Sequence, residues 1–173
     1  MSLIAFDVDG TLIESYFRKG AEKTVENYAL VTVLPGRRER IAELAQAGYS
    51  FALVTNQAGV ALGYQPLVDV WRKMGLVIAE LGCFHGAPVS VHVCMHHPEA
   101  RLPEWHQDPC PRRKPEPGML WEAMDAHGID HMEIQGKSTQ TLGATFVGDM
   151  ASDAEAAKRA GMAYVDAEVF FGA

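Results

Sequence analysis

Two carboxylates stand two residues apart near the start of the chain, in Phe6-Asp7-Val8-Asp9-Gly10-Thr11. They follow an apolar run, Leu3 to Phe6, that suits a buried strand. Just past a strand, both would reach the carboxyl end of a sheet, and Gly10 lets the chain turn where a Cβ would clash. By average residue frequencies Asp-x-Asp-Gly-Thr arises by chance in roughly two chains per thousand of this length. A second apolar run ends in Val54-Thr55-Asn56-Gln57, whose hydroxyl and amides suit a phosphoryl oxygen. Lys114 lies before a helix start in Arg113-Lys114-Pro115-Glu116-Pro117-Gly118-Met119. Its ammonium and the helix N-terminus both favour negative charge. A later run ends in Val147-Gly148-Asp149, with Asp153 four residues on, and carboxylates there suit Mg²⁺, which takes oxygen ligands. Read alone, each has a plain structural alternative: a polar turn after the first two runs, a solvated basic loop at Lys114 and a charge in the first turn of a helix at Asp153.

Five apolar segments must position these groups: Leu3 to Phe6, Phe51 to Val54, Val89 to Val93, Ala144 to Val147, and Ala163 to Val165. Four are near-continuous, as in parallel strands covered on both faces; the third alternates and belongs near a sheet edge. Helical spacing lies between them. Ile41, Leu44 and Ala45 share a face ahead of Gly48; Val68, Trp71, Gly75 and Ile78 share another; Leu120, Ala123, Met124 and His127 a third. Ser152 and Glu155 are expected to form a capping box for a last helix that ends at Gly161. Strand–helix alternation predicts an α/β fold, a doubly wound parallel sheet of about five strands, in a single domain over residues 1–173. Such sheets bind ligands beyond the carboxyl ends of their strands. The polar stretch Gln135 to Gln140 leads into a strand and is expected at the opposite end.

The bulk properties narrow the function. The chain has 173 residues, 48% hydrophobic and 21% charged, enough for one domain with a core. Its net charge of −7 disfavours non-specific nucleic-acid binding. Its apolar runs are too short to cross a bilayer, and Asp7 interrupts the first one, so neither a membrane span nor a signal peptide is expected and the cytoplasm is the expected compartment. Cys83, Cys94 and Cys110 are too few and odd in number for a disulfide framework, which leaves metal binding or burial.

Taken together, the four strand ends carry carboxylate, hydroxyl, ammonium and carboxylate in that order, from Leu3 to about Val165. This resembles the four motifs of the haloacid dehalogenase (HAD) superfamily. The resemblance implies an aspartyl-phosphate mechanism with Asp7 as nucleophile and Asp9 as general acid/base. Thr55, Asn56 and Lys114 would hold the phosphoryl group. Asp7, the backbone carbonyl of Asp9 and Asp149 would bind Mg²⁺, with Asp153 in support. The second carboxylate, Asp9, favours phosphate transfer over dehalogenation.

Several segments are similar to one branch, the heptose 1,7-bisphosphate and histidinol phosphate phosphatases. They are Leu34-Pro35-Gly36, Ala47 to Val60, Cys94-Met95-His96-His97-Pro98, and Arg113-Lys114-Pro115 with Pro117-Gly118-Met119. The branch implies a small phosphate ester as substrate, a monomer without a large cap domain, and Arg113 and Gln57 as candidate substrate contacts. It also implies a structural zinc in a loop at residues 94–112. Cys94, His96 and Cys110 match three ligand positions, but the fourth is Arg112, leaving His106, His97 or water to complete the site, or two buried thiols and no metal. The chain departs from the branch at Asp7-Val8-Asp9-Gly10-Thr11, where many members have Asp-Arg-Asp-Gly-Val, and over Ser15 to Thr32. Two other readings stay open. Asp-x-Asp-Gly-Thr-Leu, Thr-Asn-Gln and Arg-Lys-Pro-x-x-Gly-Met also resemble polynucleotide 3′-phosphatases, with Arg37, Arg38, Arg112 and Arg113 as a possible local basic patch. A catalytically inactive phosphate-binding module is the third.

Overall fold

The computed structural model describes residues 2–15, 30–130 and 143–172. Its centre is a five-stranded, all-parallel sheet of β1 (Leu3–Phe6), β2 (Ser50–Asn56), β3 (Val89–Cys94), β4 (Ala144–Gly148) and β5 (Ala163–Asp166), in the spatial order β3-β2-β1-β4-β5. The expected α/β sheet is therefore present, and β1 lies at its middle, paired Leu3 to Ser50 on one side and Leu3 to Ala144 on the other. Among the described residues there is no large cap domain.

Successive side chains of a strand point to opposite faces, and each face has its own helices. Ile4, Phe6, Phe51 and Leu53 pack beneath α1 (Arg37–Gln46) and α2 (Leu67–Glu80), with Phe170 and Phe171 of α5 (Ala167–Phe171) against the same cluster. Leu3, Ala5, Ala52 and Val54 face α3 (Gly118–Ala126) and α4 (Ala151–Ala160). The small residues Ala156, Ala157 and Ala160 let α4 approach this face closely.

Three expectations need correction. The apolar face of α2 chosen from the sequence is the outer one: Val68 is 61% and Trp71 48% exposed, Gly75 is exposed and Ile78 is half-buried. The buried face is Val70, Met74 and Val77, joined by Asp69 and Lys73. This helix is apolar on two sides, so spacing alone does not select the inner one. The strand β5 is not covered on both faces; it is the second edge, and its side chains are half-buried or exposed. The helix expected to be the last, α4, begins at Ala151 and is followed by α5; Ser152 lies within its first turn, and the carboxylate that caps it is Asp153, accepting the Met150 N–H at 3.0 Å. Gly161 ends it in a left-handed conformation, as expected. The third strand is at an edge, also as expected. Gln135 to Gln140, most of Ser15 to Thr32 and the side chain of Cys83 lie outside the described set.

Candidate active site

At the carboxyl end of β1 the chain turns back on itself around the carbonyl of Val8, which accepts the N–H groups of Thr11, Leu12 and Ile13 at 3.3, 3.0 and 3.1 Å. Gly10 has φ of 98°, a conformation costly for any residue with a Cβ. The Asp7 N–H donates to Val147 O of β4 at 2.9 Å, which holds the buried carboxylate over the sheet.

Lys114 reaches this point from the loop before α3. Its Nζ lies 2.6 Å from Asp7 Oδ1, 2.8 Å from Asp153 Oδ1 and 3.0 Å from Val54 O, and 5.3 Å from the centre of the Phe146 ring. Asn56, at the end of β2, fixes that loop. Its amide donates to Lys114 O at 3.0 Å and accepts the Lys114 N–H at 3.1 Å. Both ends of the side chain assigned to phosphate binding thus grip the Lys114 backbone, while the residue still lines the cavity described below.

The buried trio carries two carboxylates against one ammonium. The Asp7 carboxyl is pushed up to about 6, by burial first and also by Asp153 and Asp9, against the downward pull of Lys114. Burial would lower the Lys114 pKa, but Asp7 and Asp153 outweigh it and the net direction is upward. The uncompensated negative charge suits a cation. Oxygen atoms of Asp7, Asp149 and Asp153 all lie within 4.8 Å of one another, a donor set that fits a hard divalent ion. The hydroxyl of Thr11 lies 3.4 Å from Asp7 Oδ2 and 3.3 Å from Asp149 Oδ1, linking the first two. Gly148 makes room for the third: a Cβ there would stand 2.6 Å from the Asp153 side chain.

Asp9 is half-buried and its carboxylate is not in this acidic cluster. Gln57 donates to Asp9 Oδ2 at 2.6 Å and to Thr55 Oγ1 at 3.0 Å, so this candidate substrate contact is engaged with the two site residues on either side of it. Lys73 of α2, which sequence reasoning missed, lies 2.5 Å from Asp9 Oδ1. Its signal was available: Lys73 falls at helical spacing among Val70, Met74 and Val77, where a solvated lysine does not belong. Asp7, Asp9, Thr55, Asn56, Lys114 and Asp153 line one open cavity of about 180 Å³, together with Met150 and Ser152, also unanticipated. Arg113 lines a neighbouring cavity with Pro98 and Cys110, and donates to His96 O at 3.0 Å.

The 94–112 loop brings Cys94 and Cys110 to an Sγ–Sγ distance of 3.7 Å, with His96 Nδ1 at 3.9 and 3.4 Å from them. His106, the candidate fourth ligand, is not in this cluster. Arg112 occupies itself with Glu122 through bonds of 2.7 and 3.0 Å. Burial, then the adjacent Cys110, pushes the Cys94 thiol up to about 11.

The sequence matches the family model described as polynucleotide kinase 3 phosphatase over residues 2–172. It is 34% identical over 161 residues to the D-glycero-beta-D-manno-heptose-1,7-bisphosphate 7-phosphatase of Pseudomonas aeruginosa, covering 91% of this chain and 75% of that one. The Pseudomonas putida enzyme of the same name is 33% identical over 164 residues, 93% and 79% of the two chains. Among solved structures, D,D-heptose 1,7-bisphosphate phosphatase from Bordetella bronchiseptica, complexed with magnesium and phosphate, superposes with a TM-score of 0.71 at 27% identity over 95% of this chain and 79% of its own. A HAD-like phosphatase from Mesorhizobium loti gives 0.72 at 29% identity, over 94% and 69%. A buried aspartate at the end of the central strand, a lysine bonded to it and a second acidic strand end therefore belong to a phosphatase of the HAD superfamily. Within that superfamily the chain is a member of the polynucleotide kinase 3 phosphatase family, in its heptose bisphosphate phosphatase branch.

Proposed function

We propose that this chain is a magnesium-dependent phosphomonoesterase acting on a small sugar phosphate of the heptose bisphosphate kind, through an aspartyl-phosphate at Asp7. The observation that carries the reading is the Asp7–Lys114–Asp153 trio beside Asp149, which supplies a nucleophile, a fixed ammonium and an oxygen-rich cation site at one strand end. Asp7, Asp149 and the supporting Asp153 would hold Mg²⁺, and the relative solved with magnesium and phosphate supports that assignment. Such an ion offsets the charge that keeps a phosphate ester away from a carboxylate.

The chain's own groups account for the rest. Lys114 offsets charge on the incoming phosphoryl oxygens, and Thr55 with Asn56 borders the same space. An Asp7 oxygen bonds to phosphorus as the bond to the leaving oxygen breaks, and Asp9 gives that oxygen its proton. Asp9 then takes a proton from water, whose oxygen attacks phosphorus and restores Asp7. The small cavity favours a compact ester, with Arg113 beyond it as a candidate contact for the rest of the substrate.

A second reading, a nucleic-acid 3′-phosphate as substrate, is favoured by the description of the family model. Three of the four arginines suggested as its basic patch speak against it. Arg37 donates to the carbonyls of Thr11 and Pro35 and lies over Phe171, Arg38 pairs with Glu80, and Arg112 pairs with Glu122. We further infer a structural zinc at Cys94, His96 and Cys110 with water in the fourth position, and a cytoplasmic monomer; no described helix is long and apolar enough to cross a membrane.

The test is phosphate release from a panel holding a heptose bisphosphate, histidinol phosphate, simple sugar phosphates and a 3′-phosphorylated oligonucleotide, with Mg²⁺ or a chelator. The expected result is release from a sugar phosphate that needs Mg²⁺ and disappears in Asp7→Asn. Preference for the oligonucleotide would select the second reading, and undiminished activity in Asp7→Asn would overturn the mechanism. Elemental analysis of the same preparation tests the zinc, which should be present at one per chain and absent from Cys94→Ser.

A further inference from the structure

We propose that Lys73 is the positioning residue of the acid/base carboxylate, fixing the orientation in which Asp9 meets the leaving group. The inference rests on the phosphatase reading above. Lys73 is 3% exposed, and its Nζ lies 2.5 Å from Asp9 Oδ1. Gln57 holds the other oxygen at 2.6 Å. Each oxygen of Asp9 therefore has a donor from a different element, Lys73 from α2 and Gln57 from the turn after β2, and the carboxylate plane is fixed between them.

A lysine buried among Val70, Met74 and Val77 loses its hydration, a loss that only a close partner offsets. Surface lysines cost nothing of the kind, so the placement needs a reason, and the partner it meets is the group that must move a proton. Held between these two donors, Asp9 keeps one orientation toward the leaving oxygen it must protonate, and without Lys73 the carboxylate is free to turn away. The second half of the reaction runs the other way, with Asp9 accepting a proton from water. An ester whose leaving oxygen needs no proton does not call on that orientation in the first half of the cycle, so Lys73 matters most for esters whose leaving oxygen needs one.

The experiment compares two esters at saturating Mg²⁺: an alkyl phosphate such as the preferred sugar phosphate, and 4-nitrophenyl phosphate, whose leaving group departs as a stable anion. In Lys73→Met, kcat/KM should fall about 100-fold on the alkyl ester, at the lower end of what positioned acid/base groups contribute, and less than about threefold on the aryl ester. Lys73→Gln, which keeps a polar end, should show the same split, and Lys73→Arg, which keeps the charge, should recover most of the alkyl activity. Thermal melting of each variant reports folding. Equal losses on both esters, or no loss on either, in a folded neutral variant would overturn the proposal. Failure of the underlying reading looks different: wild-type protein inert on every ester, or Asp7→Asn as active as wild type.

Discussion

Asp153 shows how much of this site depends on a residue that does no chemistry. It caps α4 through Met150, holds Lys114 and completes the acidic cluster, and it fits because position 148 has no side chain. Gly148→Ala would place a methyl group 2.6 Å from it, so either Asp153 or the strand must move. The expected outcome is a loss of about 1–3 kcal/mol of stability, as for other overpacked sites, with a drop in kcat of at least about tenfold as Lys114 is released. Denaturant melts and steady-state kinetics check both, and wild-type kcat in the variant would show that Lys114 does not depend on Asp153. At this scale the sequence is legible where chemistry-bearing residues follow apolar runs, as Asp7, Asp9, Asp149 and Asp153 do, or precede a helix start, as Lys114 does, and all five meet at one end of the sheet. The spacing marks Lys73 as buried but hides its partner, as it hides that of Gln57, because Asp9 is distant in the chain from both and helical spacing reports which face is apolar, not which distant carboxylate that face meets.

Among the elements, α2 is the instructive one. Its two apolar sides differ in what covers them, and stability data should separate them. Met74→Ala removes a side chain packed against the sheet and should cost about 2–5 kcal/mol, whereas Trp71→Ala on the outer side should cost within about 0.5 kcal/mol. Comparable costs measured by chemical denaturation would mean that the outer face is covered. The strands and the other helices were easier to read. Near-continuous apolar runs identified β1, β2 and β4, and the alternation in Val89 to Val93 marked an edge strand. The opposite edge was missed because Ala163 to Val165 is too short for alternation to show.

For the whole molecule, the acidic site sets a conflict between stability and activity. A carboxyl whose pKa is raised on folding adds stability below its unfolded value and loses that stability as pH rises through the folded value, here about 6 for Asp7. Above that pH the folded protein carries the buried charge, and Mg²⁺ relieves it. The rise in Tm given by Mg²⁺ over a chelator should therefore grow between about pH 5 and pH 8, and at 100 times Kd the ion should add about 2.7 kcal/mol. A rise that does not vary with pH would mean that Asp7 is not where the ion binds. The doubly wound topology was legible as strand–helix alternation; the strand order was not, because it depends on which strands pair across long stretches of intervening chain.

That order has a consequence for biosynthesis. The strand that leads into Asp7 leaves the ribosome before the other four strands of its sheet, yet one of its two neighbours, Ala144–Gly148, follows about 140 residues later. Until then Leu3–Phe6 offers nascent polypeptides an apolar edge with one side unpaired, the kind of edge that invites pairing between chains. The delay also acts as a safeguard. Asp149 and Asp153 come only after that late strand, so a prematurely terminated translation product that ends before it would lack two of the three clustered carboxylates.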